Sequence, residues 1–187
     1  MLFRSLHSVA GAAWRLWGLD AGGRFQAGVG LRASHYFADA AAYDSQNGTE
    51  GLILTVAEPR SLALNAAFQV RARVAGPVSL GFNLDLVGVS VGPLRPGQYS
   101  GNTSALPPVL PPVVPLVTEP VTLNLLRGGL ADQGSLNSEL YAGLALPRGF
   151  GLRLGYCHLV TAQAADDTRY RRFRNLASVG LSWQLPN

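Results

Sequence analysis

From Ser61 to Val74 the chain alternates for fourteen residues without an error of phase. Leu62, Leu64, Ala66, Phe68, Val70, Ala72 and Val74 occupy the even positions. Ser61, Ala63, Asn65, Ala67, Gln69, Arg71 and Arg73 occupy the odd ones. A helix would repeat its apolar positions every three or four residues, so this stretch is a strand. Ala75-Gly76-Pro77 then signals a turn, and Val78, Leu80, Phe82, Leu84 and Leu86 resume the apolar row opposite Ser79, Gly81, Asn83 and Asp85. Together the two segments predict a β-hairpin. The design recurs in Leu140–Leu146, a turn at 147–149, and Phe150–His158. It recurs again in Phe173–Leu185 and near the start in Phe25–Ala33. Gly51–Val56 is a shorter, less regular strand candidate.

The composition of the two faces decides which one points inward. A soluble sheet buries its apolar face and wets the other with Lys, Glu and Thr. Here the second face is built of Gly, Ala, Ser, Asn and Gln with an occasional charge. Charged residues are only 14% of the chain while apolar residues reach 48%, so there are too few ions to clothe an ordinary solvent face. Small and polar residues suit the crowded interior of a narrow barrel. The apolar row then faces lipid: Leu64, Phe68, Leu80, Phe82, Leu84, Leu144, Leu152, Leu154, Leu181 and Trp183. Apolar outside and polar inside is the pattern of an outer-membrane β-barrel. Strand length agrees, since crossing a bilayer takes about 9–11 tilted residues and soluble strands average about 5–6. Phe25, Tyr36, Phe37, Phe150, Phe173 and Trp183 fall near strand ends, where an interfacial girdle would lie; Phe68 and Phe82 fall mid-strand.

The expected fold is therefore all-β: an antiparallel up-and-down transmembrane barrel of about eight strands over residues 23–187. Counting Gly51–Val74 as one bent strand gives six instead, with a hairpin missing. Connections at 75–77 and 147–149 are short; those at 38–50, 92–137 and 162–171 are long. The long loop at 92–120 contains prolines 107, 108, 111, 112, 115 and 120, a tract expected to stay out of any ladder and extend as polyproline II. Residues 1–22 read as an amphipathic helix, with Leu2, Phe3, Leu6, Val9, Ala10, Ala13, Trp14 and Trp17 on one face, or as a misassigned start. Arg4, Ser5, His7 and Ser8 interrupt what would be the apolar run of an export signal.

The inward row carries six charges: Arg32, Arg71, Arg73, Asp85, Glu139 and Arg153. Buried arginines are costly without partners, so Asp85 and Glu139 are each expected to pair with one. A lumen of about eight strands is only wide enough for side chains, which favours structural ion pairs over a conducting pore or ligand cavity. All fifteen basic residues are arginine and the net charge is +4, but they are scattered rather than striped, which argues against nucleic acid. The single cysteine, Cys157, excludes a disulfide framework and reads as a small buried hydrophobe. A lipid-hydrolysing site would need a serine, a histidine and a carboxylate near the rim. Of the candidates Ser34, His35 and His158, adjacent strand residues point to opposite faces, which parts Ser34 from His35, and His158 falls on the lipid-facing phase. No catalytic residue, metal site or cofactor is expected.

Leu123-Asn124-Leu125-Leu126, then Asp132-Gln133-Gly134-Ser135-Leu136-Asn137-Ser138-Glu139-Leu140-Tyr141, resembles a recurring block in outer-membrane β-barrel proteins of Bacteroidota. Gly81–Gly88, Gly151–Tyr156 and Arg172–Asn175 resemble companion segments, so the likeness covers roughly residues 60–187. It implies a bacterial outer-membrane location and a barrel fold. The partners that follow are outer-membrane lipid and lipopolysaccharide, with the barrel-assembly machinery during insertion, for a monomeric protein. A soluble lipocalin-like ligand carrier is the alternative, and a lipid-modifying outer-membrane enzyme the third reading.

Overall fold

The computed structural model describes residues 6–45, 52–101, 115–128 and 131–184. Over the described residues it is all-β, with twelve strands rather than about eight. Seven are long: β1 (Leu6–Gly18), β2 (Phe25–Ala38), β5 (Arg60–Ala75), β6 (Val78–Val91), β10 (Leu136–Ala145), β11 (Phe150–Ala165) and β12 (Thr168–Trp183). Five are short: β3 (Ala40–Ser45), β4 (Leu52–Ala57), β7 (Arg95–Gly101), β8 (Pro115–Pro120) and β9 (Leu123–Leu125).

The long strands form one wall in the order β1-β2-β5-β6-β10-β11-β12, each antiparallel to the next. Their Gly18–Phe25, Ala75–Val78 and Ala145–Phe150 connections all lie at one end, the turn side. Tight geometry is visible there: Gly76 has φ 49° and Arg148 φ 61°. β1 and β12 run in the same direction. Among the described residues no ladder joins them, so an antiparallel closure of this wall would take an odd number of intervening strands.

Several expectations are corrected. Where the amphipathic helix was expected, Leu6–Gly18 form strand β1, paired residue for residue with β2 from Leu6↔Ala38 to Gly18↔Gln26, while Leu2 and Phe3 lie outside the described residues. A full ladder outweighs the weak local preference of an Ala-rich stretch. The loop expected at 162–171 is a hairpin of two 16-residue strands. Its two-residue turn places Asp166 and Asp167 at φ 46° and 61°, the positive-φ geometry of a type I′ turn. The 38–50 loop contains β3. In the proline tract, Pro115 and Pro120 begin and end β8, the boundary positions where a missing N–H costs a ladder least. Prolines 107, 108, 111 and 112 lie outside the described residues.

At the end opposite the turns, the pairings run β11-β12-β3-β4-β7-β8 and back to β11. This cap is built the ordinary way round, around a buried cluster of Ala41, Tyr43, Leu54, Val56, Leu116, Ala165 and Tyr170. Polarity is thus apolar-in within the cap and polar-in within the long wall.

The apolar phase slips between Leu86 and Val87, and there the β5–β6 register shifts, Ala67 pairing Asp85 and Ala66 pairing Val87. One extra residue in β6 makes a bulge that returns Gly88 and Ser90 to the inner row. A Cβ on Gly88 would lie 2.2 Å from Asn65 Oδ1 and 2.2 Å from the Leu64 carbonyl oxygen. Gly88→Ala should therefore destabilise the fold by about 1–3 kcal/mol, read from the urea midpoint in detergent micelles; an unchanged midpoint would refute this close packing.

Candidate functional site

The interior of the wall is a continuous polar network. Arg32 on β2 reaches across the concave face to Asp85 on β6, Nη1 to Oδ1 at 3.0 Å. It also donates to the Asn137 carbonyl of β10 at 3.2 Å and to Asn83 Oδ1. These partners sit two and three strands away, so the side chains span the inside of the curve rather than lying along it. Asp85 Oδ2 accepts from Asn65 Nδ2 at 2.8 Å and from the Asn137 N–H at 2.9 Å. Asn124 donates to Asn65 at 2.7 Å and accepts from Ser90 and the Ser135 N–H. Asp85, Asn65, Asn83 and Asn124 are fully buried. Buried charges and amides satisfied by several partners rigidify the structure they join.

Below this layer, Gln69 Nε2 donates to the Tyr141 hydroxyl at 2.5 Å, and the Arg153 guanidinium lies 4.4 Å from the Tyr141 ring centre. Arg71 donates twice to Gln26 Oε1, at 3.0 and 2.6 Å. Arg32 also stands 5.7 Å from the Trp14 ring. Polar side chains and the Trp14 and Tyr141 rings thus meet in the interior.

Of the six inward charges, Arg32 and Asp85 meet. Among the described residues Glu139 does not find an arginine; it accepts instead from Asn83 Nδ2 at 2.9 Å and from the Ser178 hydroxyl at 2.7 Å. Neutral donors suffice because both of its oxygens are bonded. Arg71 and Arg153 occupy the lower interior, and Arg73 lies exposed at the turn-side end of β5. Asn65, Gln69, Asn83 and Asn124 belong to this network and were not singled out from the sequence, although the first three stand on the inward phase.

The opposite face is apolar and uncovered. Leu64, Phe68, Leu80, Phe82, Leu144, Leu154, Leu181 and Trp183 are exposed there, Leu181 at 84%; Leu84 and Leu152 share the face half-buried. Such a contiguous apolar surface far exceeds what a monomer in water normally shows. Rings of larger side chains border it. Trp17, Phe25, Phe150 and Trp183 lie at the turn side. His35 beside Phe37, centroids 5.2 Å apart, and His158 beside Phe173, 5.7 Å apart, lie toward the cap. Ten residues separate Phe173 from Trp183 along β12; at about 3.3 Å rise and a tilt of about 40° they span roughly 25 Å, the height of an outer-membrane apolar band.

Ser34 is buried on the inner row and His35 exposed on the outer one, while His158 Nδ1 sits 2.8 Å from Asn175 Oδ1 on the outer face. These three groups do not converge. Among the described residues no trio of His, Cys, Asp or Glu could hold a metal ion. Among the described residues no helix is long and apolar enough to cross a membrane, which says nothing of strands. In the cap, burial raises the phenols of Tyr43 and Tyr99 above their ordinary pKa.

At the turn side, Asp20 Oδ1 accepts the Phe25 N–H at 2.7 Å, which holds its carboxyl below the ordinary 3.8. A depressed folded pKa contributes stability that is present above 3.8 and lost as pH falls through the folded value. The Phe25 amide resonance should therefore titrate with a midpoint below 3.8, and Asp20→Asn should abolish that titration; a midpoint above 3.8 would refute the bond.

Compared with known proteins, the chain matches no family model, no curated protein and no solved structure.

Proposed function

We propose that this chain is a small integral outer-membrane β-barrel protein with a structural or interaction role carried by its cap and loops, its lumen closed by side chains. The observation that carries the reading is the inverted wall: a bare apolar band about 25 Å high, bordered by aromatic rings, outside a buried Arg–Asp–Asn network. In water such a band would drive aggregation; in a bilayer it is the favoured surface. Short connections at one end and the cap at the other match periplasmic turns and extracellular loops. The resemblance of residues 60–187 to Bacteroidota outer-membrane barrels is in keeping with this reading.

Expression in a Gram-negative host tests it. The protein should sediment with the outer membrane, require detergent for extraction and migrate faster on gels before boiling than after. Release into plain buffer as a monomer would overturn the reading.

A further inference from the structure

The wall's charge is sorted by end. In the turn-side half the described arginines are Arg15, Arg24, Arg71, Arg73, Arg148 and Arg153, and the carboxylate there is Asp20. Over the rest of the described residues eight arginines meet nine carboxylates, and bridges such as Arg95–Glu58 and Arg60–Glu58 form. Among the described residues the excess of positive charge is therefore concentrated in the turn-side half.

Four of these arginines reach the turn-side rim: Arg15 on the outer face, Arg24 and Arg148 at the turns, and Arg73 at the turn-side end of the inner row, all exposed. Among the described residues none pairs with a carboxylate. Their placement follows the aromatic ring. The Arg24 guanidinium lies 5.7 Å from the Phe25 ring and its Nε donates to the Arg73 carbonyl at 3.2 Å. The Arg73 N–H donates to the Arg24 carbonyl at 2.8 Å, so the two residues are held side by side. Arg15, the one charged side chain among the described residues of the apolar band, has its guanidinium 5.9 Å from the Trp17 ring, its stem lying on apolar surface and its head toward the rim. Arg148 projects from the turn that joins β10 to Phe150, whose strand partner is Trp183.

Resting on the membrane reading above, we propose that this rim binds the phosphates of anionic phospholipids in the leaflet facing the short turns. Guanidinium forks match phosphate geometry, and rings at headgroup depth place them at the level where the phosphates lie. A basic residue near an anionic bilayer is worth about fivefold in binding at moderate salt.

Trp17 and Trp183 stand at this rim and supply the reporter. The full chain is refolded into vesicles of phosphatidylcholine containing either brominated phosphatidylglycerol or brominated phosphatidylcholine, and tryptophan quenching gives the relative binding constant. The wild type should prefer phosphatidylglycerol by about fivefold, falling toward twofold in 0.5 M salt as screening sets in. The triple variant R24Q/R73Q/R148Q should bring the ratio to about 1, while R24K/R73K/R148K and the cap-side R95Q should retain it. If the triple variant fails to insert, R148Q alone should still lower the ratio. Equal quenching by both lipids in the wild type, or a ratio unmoved by neutralisation, overturns the proposal and leaves the membrane reading standing. No quenching by either lipid overturns both.

Discussion

Replacing Asp85 with alanine should lower the unfolding free energy by about 3–5 kcal/mol, the cost of leaving a buried cation without its anion. Asp85 has no exposed surface and the Arg32 side chain retains only 4%. With the carboxylate gone, Arg32 keeps the Asn137 carbonyl and Asn83 Oδ1 as acceptors, neither of them charged. Asn65 Nδ2 and the Asn137 N–H lose an acceptor at the same time. The pair itself contributes much less than its rupture costs, because burying two ions nearly cancels their attraction. The double variant Arg32→Met/Asp85→Leu should therefore recover much of the loss, giving a coupling of about 2–3 kcal/mol. Urea titration in micelles, followed by tryptophan fluorescence, measures all four corners of the cycle. A water-filled lumen would let Arg32 hydrate and reduce the single-variant cost to at most about 1 kcal/mol, so this number also decides whether the interior is closed.

The long wall was legible because its two faces differ so sharply. In β5 and β6 the phase holds over most of each strand; it slips at Leu86–Val87, where the bulge lies, and a second register shift, between Arg73 and Ala75, falls beside the turn. β1 was not legible. Ala10, Gly11, Ala12 and Ala13 carry no phase, and Trp14 stands on the inward row, paired with Gly30 and 5.7 Å from the Arg32 guanidinium, so the local pattern imitates a helix. The cap was hidden for a related reason. Ala40-Ala41-Ala42 blurs the alternation of β3, and six-residue strands offer too few positions for a period to emerge. The turn at Asp166-Asp167 lacks the glycine that normally marks a type I′ hairpin. The polar network was half visible: inward phase identifies Asn65, Gln69 and Asn83, but Asn124 lies 59 residues from its partner Asn65, and no local pattern encodes that meeting. Glu139 shows the limit of charge counting, since satisfying a carboxylate takes donors, not cations.

An arginine introduced at Leu154 or Val179 should cost about 2–4 kcal/mol, while the same substitution at Phe150 or Trp183 should cost about 1 kcal/mol or less. Leu154 and Val179 are cross-strand neighbours on the apolar face, and Phe150 and Trp183 form the corresponding pair at the turn-side rim. All four side chains are more than half exposed, Val179 at 76%. In water, exposed residues with no buried partner tolerate such changes within about 0.5 kcal/mol at either level, and replacing a large exposed ring could even help solubility. In a bilayer the cost grows with depth, because a guanidinium at the midplane must drag water inward or stretch to the interface, whereas one at the rim is already there. The depth gradient, and not the size of any single value, is therefore the discriminating quantity. It can be read by reversible urea unfolding of the four variants in phospholipid vesicles. A flat profile would show that the exposed leucines meet something other than lipid hydrocarbon.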